Sequence, residues 1–299
     1  MPRPAKAAPV LSIACRAILA GAVFLLPVTS PALGQSAPAL TDRPALSEEA
    51  TNRVADLMAT TGLDRIFEQF GTAVAESPAL DAILADEAFV AAWQQSAREA
   101  FEDEALVARL EGRLTEYLSQ DELDQLVQFL SSPFGQRVNG LELATQDQPP
   151  EAQERLMLEG EALYADAGSQ RQEHFERMLT LTSAEISNAM LAGSIRAMML
   201  GLHFSNGGDI AVPWEEIDEE VEATMQAMAG ELDASLRFVL AYTYRELTDA
   251  ELEQYIAFLE TPAAQRFYAL TAFSVGEIVH EAMEAFGTSL ALRLNTVAV

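Results

Sequence analysis

Thiol and imidazole chemistry are scarce in this chain. Its one cysteine, Cys15, lies near the N-terminus, and histidine occurs three times, as His174, His203 and His280. One cysteine cannot form a disulfide within the chain, and its place in an N-terminal segment that reads as a cleaved signal leaves no cysteine nucleophile after processing. No Gly-x-Ser-x-Gly elbow is present, and Gly207-Gly208 lacks the lysine of a phosphate-binding loop. No Asp-x-Asp-x-Asp-Gly run offers a calcium loop. Strict alternation of apolar and polar residues, the mark of a half-buried strand, does not occur either. What the chain has in excess is acid: 46 aspartates and glutamates against 18 lysines and arginines, a formal net charge of −28.

Residues 1–34 read as a secretory signal peptide. Arg3, Lys6 and Arg16 form a basic start, Ala17 to Leu26 an apolar run, and Ala32-Leu33-Gly34 a small-residue cleavage site. The mature start falls near Gln35. An uncleaved membrane anchor is the second reading, but the apolar run is far shorter than the roughly 20 residues of a span. Ser12-Ile13-Ala14 lacks the leucine that a lipoprotein signal places three residues ahead of its cysteine, so we expect no lipid anchor. Cleavage takes away three of the 18 basic residues and none of the 46 acids, leaving a net charge of about −31. Such a surface repels phosphate backbones and anionic headgroups, which argues against nucleic-acid and membrane partners. The carboxylates read mainly as a solubilising coat, with weak divalent-ion capture as the functional alternative.

The chain also repeats itself. Leu118-Ser119-Gln120-Asp121-Glu122-Leu123 through Leu141 recurs 129 residues later as Leu247-Thr248-Asp249-Ala250-Glu251-Leu252 through Leu270. Ten of the 24 paired positions are identical: Leu118/Leu247, Glu122/Glu251, Leu123/Leu252, Gln125/Gln254, Phe129/Phe258, Leu130/Leu259, Pro133/Pro262, Gln136/Gln265, Arg137/Arg266 and Leu141/Leu270. An internal repeat sets architecture before any motif sets chemistry. The residues after the signal suit two units of about 130 each. We therefore divide the chain into a signal peptide (1–34), an exposed leader (35–46), a first helical repeat (47–167) and a second (168–299). The expected fold is all-α, a two-repeat helical bundle.

Helical periodicity places helices near 47–61, 63–76, 87–101, 103–117, 120–131, 133–145 and 150–167. The second repeat offers 170–180, 183–204, 214–229, 231–246, 249–260 and 262–293. Gly62, Ser77-Pro78, Ser132-Pro133 and Gly168 supply breaks. Asn206-Gly207-Gly208-Asp209 with Pro213 forms a loop. The run Ile186–Phe204 is apolar enough to resemble a membrane span, but Asn188, Ser194, Arg196 and His203 interrupt it. A central arginine costs roughly 2.5–3.5 kcal/mol on insertion scales, so this run reads as a buried central helix.

Each repeated segment is a helical hairpin written in capping chemistry. Ser119 and Thr248 cap a helix, with Glu122 and Glu251 three residues on to complete a capping box. Leu123, Leu126, Val127 and Leu130 make one buried stripe, repeated as Leu252, Tyr255, Ile256 and Leu259. Ser132-Pro133 and Thr261-Pro262 end that helix and open the next. Gln136-Arg137 and Gln265-Arg266 follow one turn later. The arginines read either as anion-binding groups or, as we favour in so acidic a chain, as partners of Glu122, Asp124, Glu251 or Glu253 across the hairpin.

Leu-Ser/Thr-x-x-Glu-Leu, then Phe129 or Phe258, then Ser/Thr-Pro-x-x-Gln-Arg resembles the signature of the bacterial family called domain of unknown function 2059. The second copy is the closer to that signature. The resemblance implies an exported, all-helical bacterial protein without an established activity. Leu130 and Leu259 stand where members of that family commonly carry an aromatic. Ala263-Ala264 replaces the glycine-containing turn kept in the first copy as Phe134-Gly135.

Other candidate chemistry is thin. Glu277 and His280 have the Glu-x-x-His spacing of carboxylate-bridged metal bundles, but no second motif accompanies them, and the position matching His280 is Glu151. Met190, Met198, Met199 and His203 have soft-metal ligand types, yet methionine more often fills core gaps. We assign no catalytic residue, cofactor or metal. The expected function is a non-catalytic binding or interaction module, with a carrier of a small apolar ligand as the alternative. The carrier predicts an uncharged cavity lined from 183–204, using the small residues Ala192, Gly193, Ala197 and Gly201; the interaction module predicts Trp93, Trp214 or phenylalanines on an outer face. The partner is an unknown protein or a small apolar ligand, with a homo-oligomer left open. The expected location is periplasmic or secreted.

Overall fold

The computed structural model describes residues 48–77, 80, 86–101, 104–181, 185–205 and 211–297. The signal segment, the leader and the loop Asn206-Gly207-Gly208-Asp209 lie outside the described residues. Among the described residues every element is helical, so the fold is all-α. The helices are α1 (Glu48–Thr61), α2 (Ile66–Ala75), α3 (Glu87–Phe101), α4 (Glu104–Tyr117), α5 (Gln120–Ser131), α6 (Pro133–Gln146) and α7 (Pro150–Asp166). There follow α8 (Ser169–Leu181), α9 (Glu185–Ser205), α10 (Trp214–Thr243), α11 (Asp249–Leu259) and α12 (Pro262–Val297).

Local chemistry accounts for most boundaries. Gly62 adopts φ 75°, the left-handed conformation that a glycine takes without a Cβ penalty, and so turns α1 through a short 3-10 segment (Leu63–Arg65) into α2. Pro133 and Pro150 open α6 and α7, where a missing amide hydrogen costs nothing. The expected break between 229 and 231 is absent, because α10 runs straight through Gly230. A helical glycine costs about 1 kcal/mol relative to alanine. Ile217 and Val221 ahead of Gly230, and Leu232, Leu236 and Val239 behind it, are buried, and that burial outweighs the penalty.

The larger hydrophobic core is continuous across residues 167 and 168. It takes Phe67, Phe101, Leu110 and Leu114 from one side and Ile195, Val275, Met283 and Phe286 from the other. Helix α12 is the strut of this core, packing against α3, α4 and α9. Trp93 lies at its centre. The indole donates to the Val74 carbonyl at 2.8 Å, stacks on Phe89 and meets the edge of Phe286 at 4.9 Å, tying α2, α3 and α12 together. Trp93 is therefore a core anchor and Trp214 is half-buried, so neither is the exposed aromatic that the interaction-module reading named beside the phenylalanines.

Helix α9 is the buried central helix anticipated for the second half, and its Arg196 is neutralised by Asp218 of α10 at 2.7 Å. Its small residues serve contact rather than vacancy: a Cβ on Gly193 would come within 2.8 Å of both Phe70 and Val279. Helix α7 crosses onto α10, where Gly160 lies so close that a Cβ would sit 2.2 Å from the Phe238 carbonyl oxygen. A second, smaller core gathers Phe175, Met178, Leu240, Tyr244, Leu252, Tyr255, Ile256 and Leu259 beneath α8, α10 and α11. No described helix is long and apolar enough to cross a membrane.

Candidate functional site

The two repeated segments form hairpins with matching hydrogen bonds. Ser119 Oγ accepts from the Glu122 amide at 3.3 Å while the Ser119 amide donates to Glu122 at 2.7 Å; Thr248 and Glu251 do the same at 3.3 and 2.8 Å. Both are complete capping boxes. At the corner, Ser132 Oγ accepts from Gly135 at 3.0 Å, and Thr261 Oγ1 from Ala264 at 3.3 Å. Leu118, Leu123, Leu247 and Leu252 are all buried, and Pro133 and Pro262 each begin the second helix of their hairpin.

The hairpins meet each other through equivalent residues. Phe129 and Phe258 stack face to face, with centroids 3.6 Å apart and planes 6° from parallel. Arg137 donates to the carbonyl of Glu246 at 3.0 Å, and Arg266 to the carbonyl of Tyr117 at 3.4 Å. Since 117 and 246 differ by 129, as do 137 and 266, the two bonds are reciprocal. Arg137 also pairs with Glu251 of the opposite hairpin. The arginine bridge thus links the two hairpins, where the sequence reading had placed it within one. Thr248, through its amide and hydroxyl, and Arg137 together hold Glu251 below the usual carboxylate range. Gln265 donates to the carbonyls of Leu181 and Leu259 at 3.0 and 2.7 Å, whereas Gln136 reaches only Ser131, at 3.3 Å.

Beside the stacked rings lies a group that the sequence reading passed over. Glu142 of α6 accepts from two phenols on one carboxyl oxygen, Tyr244 at 2.7 Å and Tyr255 at 2.6 Å. Burial pushes its pKa up to about 7, against the lowering effect of the two hydroxyls. Tyr244, Tyr255 and Tyr268 are themselves raised, first by burial and then by the neighbouring carboxyl. A small enclosed cavity of about 20 Å³ adjoins the group, lined in part by Asn139, Leu126, Phe129, Val138, Phe258 and Phe267. That volume admits about one water and no substrate. The signal was available: Val138, Asn139, Glu142 and Thr145 follow helical spacing, and three of the four are buried, so the glutamate belongs to an inward face. The carboxylates read mainly as an exterior coat, and Glu142, half-buried with its carboxyl on two phenols, is an exception to it.

The remaining candidates are dispersed. Glu277 is paired with Arg113, and His280 lies 3.8 Å from Glu284 on the same helix. Met190 and Met198 are buried in the larger core. His174 of α8 is buried with Nδ1 3.3 Å from Glu253, in a row of contacts that includes Arg171 with Asp249 and Arg177 with Glu253 and Glu260. No cluster of three or more histidine, cysteine, aspartate or glutamate side chains suited to a metal occurs among the described residues.

A groove of about 600 Å³ opens on the surface between α3 and α12, lined by Glu99, Ala285, Thr288, Ser289, Leu292 and Arg293. Leu292 is 60% exposed. Glu99 is held at a pKa of about 2, chiefly by its hydrogen bond from Arg293. Among the described residues, the other exposed large apolar side chains, Leu158 and Leu163, are on α7, and Leu163 occupies the position 129 residues before Leu292.

Against known proteins, residues 104–166 match a family described as uncharacterized protein conserved in bacteria, domain of unknown function 2059. The matched stretch runs from the first residue of α4 to the last of α7 and contains the first hairpin. It does not include the second hairpin, where the sequence reading had placed the closer resemblance. No curated protein and no solved structure matches the chain.

Proposed function

We propose that the chain is an exported, non-catalytic interaction module that docks a protein segment with an apolar anchor and basic flanks. The observation that carries this reading is the open groove between α3 and α12, with Leu292 exposed along it. A chain of net charge −28 favours a basic partner by long-range attraction. The carrier reading finds no support in the cavities. The enclosed one holds about one water, an open groove does not bury a ligand, and neither is lined from 183–204.

The duplication belongs to the same proposal. We infer that α4 to α7 and the stretch 129 residues later are copies of one unit, meeting about a local two-fold axis near Phe129 and Phe258. The matching caps, the reciprocal arginine bonds and the exposed leucines at equivalent positions support it. Native mass spectrometry of the chain produced with its signal segment and without an affinity tag tests the functional reading. A ligand-free monomer or homodimer is the expected species; a co-purified lipid favours a carrier, and a bound metal ion an enzyme, and either contradicts the proposal.

A further inference from the structure

We propose that Glu142, Tyr244 and Tyr255 form a proton-sensitive latch between the two hairpins, closed while the carboxyl is protonated and loosened when it ionises. Three features of the geometry lead there. First, the cluster joins the halves: Glu142 is on α6 of the first hairpin, Tyr255 on α11 of the second, and Tyr244 at the end of α10, both phenols converging on one oxygen.

Second, its surroundings offer a carboxylate no countercharge. Tyr244 faces it from the end of α10, Tyr255 from α11 and Tyr268 from α12. Helix α5 contributes Leu126, Phe129 and Leu130 to the adjoining cavity, and α1 contributes Thr61. On α6 itself Asn139 is turned to the Thr60 carbonyl at 2.8 Å, and Arg137 to Glu251 and Glu246. No ion pair to Glu142 exists among the described residues. A charge created in this half-buried position meets no cation and has only the two phenol donors to hold it, and the adjoining cavity gives a first water a place to enter.

Third, the reciprocal position of the assembly dispenses with the group. Counting by 129, Glu142 corresponds to Thr271, Tyr244 to Thr115 and Tyr255 to Leu126. The Thr115 and Thr271 hydroxyls are buried without a hydrogen-bond partner. The hairpins therefore pack at that position with no carboxyl, so packing alone does not call for the half-buried acid. Titration near neutrality, the range set by burial of Glu142, makes the asymmetry usable as a sensor.

Hydrogen exchange by mass spectrometry on the full mature chain, at pH 5.5 and pH 8 and corrected for intrinsic exchange, reads the latch directly. Protection of peptides from 133–146 and 249–259 is expected to fall by at least about tenfold at the higher pH, a part of what the shift of Glu142 allows. In Glu142→Gln protection stays level. Tyr255→Phe removes a donor to the ionised form and moves the wild-type midpoint upward by about a unit. Equal protection of the wild type at both pH values, an equal loss in Glu142→Gln, or an unmoved midpoint in Tyr255→Phe overturns the proposal.

Discussion

Glu142 is the residue at which composition and position conflict. In a chain with 46 acids, a carboxylate is expected on the outside, yet this one is half-buried among aromatic rings with two phenols on a single oxygen. Its pKa rises from 4.5 to about 7, so the folded state binds the proton more tightly than the unfolded chain. The stability this gives is complete below pH 4.5 and is lost as pH climbs through 7. A shift of this size corresponds to roughly 3 kcal/mol. Urea denaturation from pH 4.5 to 8 should show Glu142→Gln gaining about that much relative to wild type across the interval; parallel curves would refute the assignment. The capping residues, by contrast, were legible without coordinates, because Ser119, Glu122, Thr248 and Glu251 act on neighbours three residues away. Glu142 was not, because its partners lie more than 100 residues along the chain.

Among the elements, the hairpin corners are where two similar sequences reach different packing. Gly135 lets α5 and α6 approach so closely that an added Cβ would lie 1.9 Å from the Phe129 carbonyl oxygen. The second corner already has Ala264 at that position, with a longer capping bond. Gly135→Ala should therefore force α6 outward and cost about 1–3 kcal/mol, lowering the melting temperature, since overpacking against backbone has no side chain to rotate away. An unchanged melting temperature would show that the corner has slack. Helix existence and the proline-opened starts were readable in advance, as was α9 as a buried helix. The continuity of α10 through Gly230 was not, because glycine reports a local penalty while burial of Ile217, Val221, Leu236 and Val239 is a tertiary gain. Trp93, one of the aromatics that an interaction module was expected to expose, is buried for the same reason: a lone tryptophan does not reveal that Phe89, Phe286 and the Val74 carbonyl will surround it.

At the scale of the molecule, a core shared by both sides of residue 167 and a junction built from equivalent residues describe one interlocked body. Helix α7 reaches over to α10 while α12 reaches back along α3 and α4, so each side covers part of the other. The repeat in the sequence foretold two hairpins; it did not foretell that they would face each other through Phe129 and Phe258. That contact is the centre of the account. A double-mutant cycle of Phe129→Leu and Phe258→Leu, read by urea denaturation, measures it most directly. Residues in direct contact are coupled by about 0.5–3 kcal/mol, and a ring pair this close to cofacial lacks the quadrupole gain of an offset stack, so the two substitutions should be coupled by roughly 1 kcal/mol through packing. Strictly additive losses would mean that the two rings do not touch, and the facing hairpins with them would have to be abandoned.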